Sequence, residues 1–205
     1  MKEKNYHQEI SDIRNLMNRS SRFISLSGLA GIMAGVYALI GAAFAYVFLF
    51  QNQSSYINAS TRSADFRFVL IDLALVAFLS IATAIIISLR KARKNDEKIW
   101  DQTTRRLLLN FLIPLATGGI YILIKLGQEH YGLSAALMLI FYGLALVNAS
   151  KYTLGSIRYL GYAEIIAGII CAIFPGYGLW FWAFGFGILH IIYGSLMYVN
   201  EQKSA

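Results

Sequence analysis

Beyond residue 22 the chain alternates long apolar runs with short polar ones. The runs cover Phe23 to Phe50, Phe66 to Leu89, Leu107 to Leu126 and Gly132 to Val147, and two more fill Leu154 to Tyr198 and meet at Pro175-Gly176-Tyr177-Gly178. Roughly 20 apolar residues carry a helix across a bilayer. The pattern therefore predicts an all-α, polytopic membrane helix bundle of six transmembrane helices in three hairpins. It divides the chain into a cytosolic N-terminal segment over 1–22, a membrane domain over 23–198 and a cytosolic tail over 199–205. In the first segment Ile10, Ile13, Leu16 and Met17 recur at helical spacing, the pattern of a short amphipathic helix on the membrane surface. A frayed lead-in is the plainer alternative.

The placement of charge orients the bundle. Cations cluster at Lys2, Lys4, Arg14, Arg19 and Arg22, again through Arg90 to Arg106, and at Lys151 and Lys203, whereas the intervening connections carry only Arg62, Arg67 and Lys125. Cytoplasmic loops are the ones enriched in Lys and Arg, so both termini are expected in the cytoplasm. The stretch 90–106 holds seven basic residues and is expected to attract anionic lipid headgroups. Within it, Asn95-Asp96-Glu97 is the expected start of the third helix, which would bring Trp100 to the interface.

Composition agrees with a membrane protein and narrows the chemistry. The chain is 57% apolar and 14% charged, with a mean hydropathy of +0.54, outside the range of an ordinary soluble domain. Its net charge of +7 does not imply nucleic acid, because the basic residues sit between apolar runs and do not interleave with aromatics. Cys171 is the single cysteine, which excludes an internal disulfide and a cysteine-held zinc. No cofactor or metal is expected. The rhythm of short hairpins resembles that of many bacterial inner-membrane proteins, which suggests a location without implying an activity.

The candidate chemistry lies in the last two runs. Glu164 is about twelve residues before the centre of the turn and His190 about thirteen after it, so at ~1.5 Å per residue two antiparallel helices place them at one depth, near the bilayer centre. Gly161 and Gly168 flank Glu164, and Gly187 and Gly194 flank His190, which predicts that the last two helices approach back to back along glycine stripes. Gly31 and Gly35 form a similar contact face in the first helix. A charge on either ionisable group alone is expensive at that depth, so the pair is expected to share one proton and to titrate as a unit.

Other residues extend this site. Pro114 deprives the carbonyl of Asn110 of its partner and is followed by Thr117 and Gly118, so the third helix is expected to kink or open near mid-membrane. Arg158 either snorkels to the cytosolic interface or is a charge partner on the path to Glu164. Asp72 flanks it from the other side of the membrane, or forms an interfacial salt bridge with Arg67 or Lys125. Tyr177, Trp180 and Trp182 are expected in an aromatic belt.

Three function classes remain: a small proton-linked transporter or channel for an ion or solute, a non-catalytic scaffold or accessory subunit meeting a membrane partner or a second copy of itself, and an intramembrane enzyme. The enzyme reading is weakest, for no His-Glu-x-x-His run and no nucleophile beside a base occurs.

Overall fold

The computed structural model describes residues 27–51, 64–94, 100–153 and 156–203. The expected surface helix within 1–22 and the helix start at Asn95-Asp96-Glu97 lie outside the described residues. Six helices are present among those described: α1 (Gly28–Gln51), α2 (Ala64–Lys94), α3 (Gln102–Gly127), α4 (Ser134–Ala149), α5 (Ile157–Ile173) and α6 (Gly178–Lys203). A single 3-10 turn at Pro175–Tyr177 joins α5 to α6.

Four of these helices are long and apolar enough to cross a membrane, over Gly28–Phe48, Arg67–Lys94, Gln102–Gly127 and Gly178–Lys203. The other two are shorter. At 16 and 17 residues, α4 and α5 reach about 24–26 Å at ~1.5 Å per residue, less than the ~30 Å hydrocarbon thickness. These two pack closely along each other.

The helices are ordered in space as α2, α1, α6, then the α4–α5 pair, then α3. Each edge helix rests on one neighbour, and its remaining faces are apolar and open, with Ile71, Phe78 and Ile81 on α2 and Ile113, Ile120 and Leu123 on α3. Such faces suit acyl chains, which are as apolar as these side chains.

Glycine stripes set the closest approaches, but not between the last two helices as expected. A Cβ on Gly161 would lie 2.8 Å from the Gly143 carbonyl, and one on Gly168 would lie 2.9 Å from the Ala136 carbonyl, both on α4. A Cβ on Gly194 would lie 2.7 Å from the carbonyl of Gly28, and one on Gly35 would lie 2.6 Å from the carbonyl of Gly187. A Cβ on Gly31 would lie 3.2 Å from the Gly194 Cα, a looser approach on the same face. The reason is complementarity: small residues on α4 and α1 offer each glycine stripe a partner stripe, and backbones approach where neither side carries bulk. Thus α5 locks onto α4 and α6 onto α1.

Two helices extend beyond their apolar runs. Helix α3 starts at Gln102, where the Asp101 side chain accepts the amide of Thr104 at 2.7 Å, a regular N-cap. Helix α6 runs past Tyr198 to Lys203, so residues 199–203 are helical. There Glu201 accepts the Gly28 amide at 3.0 Å and pairs with Lys91 at 3.1 Å, clasping the start of α1, the end of α2 and the end of α6.

Helix α3 also runs unbroken through Pro114, which corrects the expectation of an opened helix. The side chains of Asn110 and Thr117 bond back to the carbonyls of Arg106 and Ile113, each at 2.8 Å, as polar groups do on a helix with no polar neighbour. Gly118 is occupied differently, since the Phe141 ring of α4 packs where its Cβ would be.

Candidate functional site

Glu164 and His190 meet in the interior. Glu164 sits in the second turn of α5 on the face that carries Gly161, Ala167 and Gly168, and the small residues draw that face onto its neighbours. Its side chain is 0% exposed, and His190 Nδ1 lies 3.4 Å from its Oε1. Neither carboxyl oxygen has a hydrogen-bond partner among the described residues.

His190 is held at the end of a widened stretch of α6. Residues Ala183–Leu189 form a π-helix, and the His190 amide donates to the Gly187 carbonyl. The His190 ring then takes the carbonyl of Gly185, with Nδ1 at 3.0 Å from it. A carbonyl can only accept, so Nδ1 carries the proton, and in the neutral ring Nε2 is left as acceptor. The Tyr142 hydroxyl of α4 stands 2.9 Å from Nε2 and donates to it. Two contacts on opposite edges thus select one tautomer, and the Nδ1 proton is given to the Gly185 carbonyl, with Glu164 Oε1 close by at 3.4 Å but not hydrogen-bonded.

Gly185 also makes the room. A Cβ there would lie 2.5 Å from Glu164 Oε2, so the carboxyl rests against bare backbone. π turns recur at functional sites because the extra residue re-aims side chains. Aromatic rings close the site: Phe186 stacks on His190 at 5.9 Å, Tyr142 lies 5.4 Å from it, and Trp182 packs on Phe186 at 5.2 Å. In such a setting a net charge is poorly solvated, so the neutral arrangement and the ion pair are the two low-cost states, and because Nδ1 already carries a proton the one that charges the ring enters at Nε2, on the Tyr142 side.

The remaining candidates lie elsewhere. Arg158 donates to the Tyr159 hydroxyl at 3.1 Å and covers its ring at 5.0 Å, on the exposed side of α5, which removes it as a partner for Glu164. Asn110, Pro114 and Thr117 stay on α3, which packs on α4 and does not reach the pair. Asp72 lines a cleft at the far end of the bundle. Its expected salt bridge with Arg67 or Lys125 is not among the ion pairs of the described residues; Lys125 reaches Gln128 instead, at 3.3 Å. Tyr177 and Trp180 are exposed as a belt requires, but Trp182 is buried in the core against Phe186. Among the described residues no group of three or more His, Cys, Asp or Glu could hold a metal ion.

Tyr142 and Gly185 were not anticipated. Tyr142 lies in a run of Leu, Ile and Phe where one hydroxyl is easily passed over, although a phenol deep in an apolar span usually has a partner. The Gly185-Phe186-Gly187 sequence reads as a failed dinucleotide pattern, and its helix-loosening effect is visible only in the π turn. No family model, curated protein or solved structure matches the chain, so nothing about its activity is inherited from a relative.

Proposed function

We propose that the chain is a multi-pass membrane protein of six crossing helices in three hairpins, both termini cytoplasmic, in which Glu164 and His190 hold one exchangeable proton that drives or gates the passage of a small ion or solute. A single observation carries this reading: a fully buried carboxyl with an imidazole nitrogen 3.4 Å away, in an interior that packing alone could have filled. Ionisable groups at such depth are expensive and mark proton relays and ion paths. The short α4 and α5 cross as a pair by packing on each other and letting flanking polar residues reach the interface.

The test is flux. Reconstituted in liposomes, the wild-type protein is expected to carry protons or cations down an imposed gradient, and Glu164→Gln to lose that flux. Equal flux in the two proteins between about pH 5 and 8, where a shared proton titrates, would overturn the reading.

A second reading is a scaffold or accessory subunit. The complete shielding of Glu164 favours it, as do the broad apolar faces of α2 and α3, which a membrane partner or a second copy would cover. In that case the pair is interhelical glue worth about 1 kcal/mol, and Glu164→Gln alters stability without altering flux.

A further inference from the structure

Hydroxyl groups near the buried pair gather on one side of it, toward the end of the bundle where α5 begins and α6 finishes. Tyr142 meets His190 Nε2 at 2.9 Å. Tyr193 follows His190 by one turn of α6, about 4.5 Å along the axis at ~1.5 Å per residue, on the same face of the helix. Its hydroxyl meets Ser156 Oγ at 3.1 Å, and Ser156, just before α5, is exposed. Tyr142 and Tyr193 pack against one apolar cluster of Leu146, Ile157 and Leu160. Exposed hydroxyl, half-buried phenol, second phenol and imidazole thus follow one another inward.

The other side has no comparable sequence among the described residues. Toward the start of α6 the core is Ala135, Leu139, Ala167, Cys171 and Trp182, with Phe186 stacked on the imidazole. A thiol is a weak hydrogen-bond partner, and an indole N–H donates but cannot accept, so neither hands a proton on. Trp182 also walls the cleft that holds Asp72. Tyr37 of α1 packs on this core, but its hydroxyl meets Thr83 of α2 at 3.3 Å.

We infer that protons reach Glu164 and His190 from the Ser156 end, along a relay of hydroxyls in which Tyr193 receives and Tyr142 delivers. A phenol suits this task because it has one proton to give and lone pairs that accept another. The one-turn step from Tyr193 to the Tyr142–His190 contact is spanned by a single water, at two hydrogen bonds of about 2.8 Å each. In the delivering step the Tyr142 O–H bond breaks as its proton bonds to Nε2, and the oxygen takes the next proton from the Tyr193 side, so the phenol ends neutral. The ring gains one proton and one positive charge, which the carboxylate at 3.4 Å balances, while Nδ1 keeps its proton on Gly185. The inference rests on the reading that the pair exchanges a proton, and adds the side and the residues through which it does so.

Time-resolved infrared spectroscopy of the whole protein in lipid nanodiscs tests it, with ring-labelled histidine, a light-released proton, and His190→Gln to identify the His190 band. Tyr142→Phe and Tyr193→Phe are each expected to slow charging of the ring about a hundredfold, the low end of what a positioned proton carrier contributes. Tyr193→Phe should leave the equilibrium titration of the ring in place, which shows that the variant is folded and separates a relay from a packing role. Tyr37→Phe removes a core phenol off the path and should leave the rate unchanged. A wild-type rate in Tyr193→Phe, with the ring still titrating, overturns the relay and leaves the proton reading standing. A wild-type imidazole that does not titrate between about pH 5 and 8 overturns both. The unaltered protein gives a second measurement. In liposomes captured by a C-terminal tag the Ser156 end faces out, and acid added outside should charge the ring faster than acid released inside. Equal rates, or a faster rate from inside, overturn the relay whatever the variants do.

Discussion

Gly185 and Glu164 share one space: the carboxyl of Glu164 occupies the volume that a side chain at 185 would fill, with Oε2 only 2.5 Å from the position of a Cβ. Gly185→Ala therefore forces both the carboxyl and Leu139, which touches the same position, to move. Overpacking of this kind costs about 1–3 kcal/mol. Gly119→Ala is the matching control, because a Cβ there has nothing within 4 Å and alanine is the better helix former by about 0.5–1 kcal/mol. Unfolding in mixed micelles is expected to show the first variant destabilised and the second unchanged or stabilised. Equal stability of the two would mean that the carboxyl does not rest where it is described.

The Tyr142 hydroxyl on His190 Nε2 leads to a second expectation. Tyr142→Phe keeps the ring that stacks on His190 and Phe186 but removes the donor, leaving a buried nitrogen unanswered at about 1–3 kcal/mol. The tautomer should survive, since the Gly185 carbonyl still holds the Nδ1 proton. Nitrogen NMR of the labelled imidazole is expected to show Nε2 shifting toward a free acceptor while Nδ1 stays protonated. A spectrum identical to that of the wild type would remove Tyr142 from the site.

Much of this architecture is legible in the residue pattern, because apolar runs near bilayer length leave few alternatives to helices. The depth of Glu164 and His190 follows from counting outward from Pro175-Gly176-Tyr177-Gly178, and counting is what a regular helix allows. Neighbours are harder to read. Glycine stripes announce that some backbone comes close, but not which one, and here Gly161 and Gly168 chose α4 while Gly187 and Gly194 chose α1. The π turn is invisible to periodicity because it changes the period itself. Pro114 misleads for the opposite reason: it removes one hydrogen bond, and the other bonds of α3 keep it helical on both sides.

Glu201 joins three helices with one carboxylate, and substitutions should separate its two tasks. Glu201→Gln keeps an oxygen for the Gly28 amide but loses the charge that meets Lys91. Glu201→Ala loses both. A partly exposed ion pair contributes about 0.2–1 kcal/mol, and satisfying an amide at a helix start about 0.5–2 kcal/mol. Alanine is thus expected to destabilise more than glutamine, and added salt to narrow the gap between wild type and glutamine while leaving that between glutamine and alanine. Denaturant midpoints at low and high ionic strength give the comparison. Equal losses for the two variants would leave the Gly28 contact without energetic content.

Asp101 supplies a pH dependence whose sign can be worked out outside the membrane. Burial pushes its carboxyl up, but hydrogen bonds from Thr104 and Thr103 outweigh that and hold it below the usual aspartate range. A carboxylate lowered on folding contributes stability that is present above its unfolded pKa, about 3.9, and is lost as the pH falls through the lower folded value. The cap on α3 is therefore intact at neutral pH and fails only in acid. The amide proton of Thr104, which donates to Asp101 at 2.7 Å, should report this directly by NMR, titrating with a midpoint below about 3.9. Asp101→Asn should abolish the titration while keeping most of the cap, and Asp101→Ala should lose about 1 kcal/mol of helix stability. A midpoint at or above the free aspartate value would show that the Thr104 bond does not favour the ion, and the start of α3 would then need another explanation.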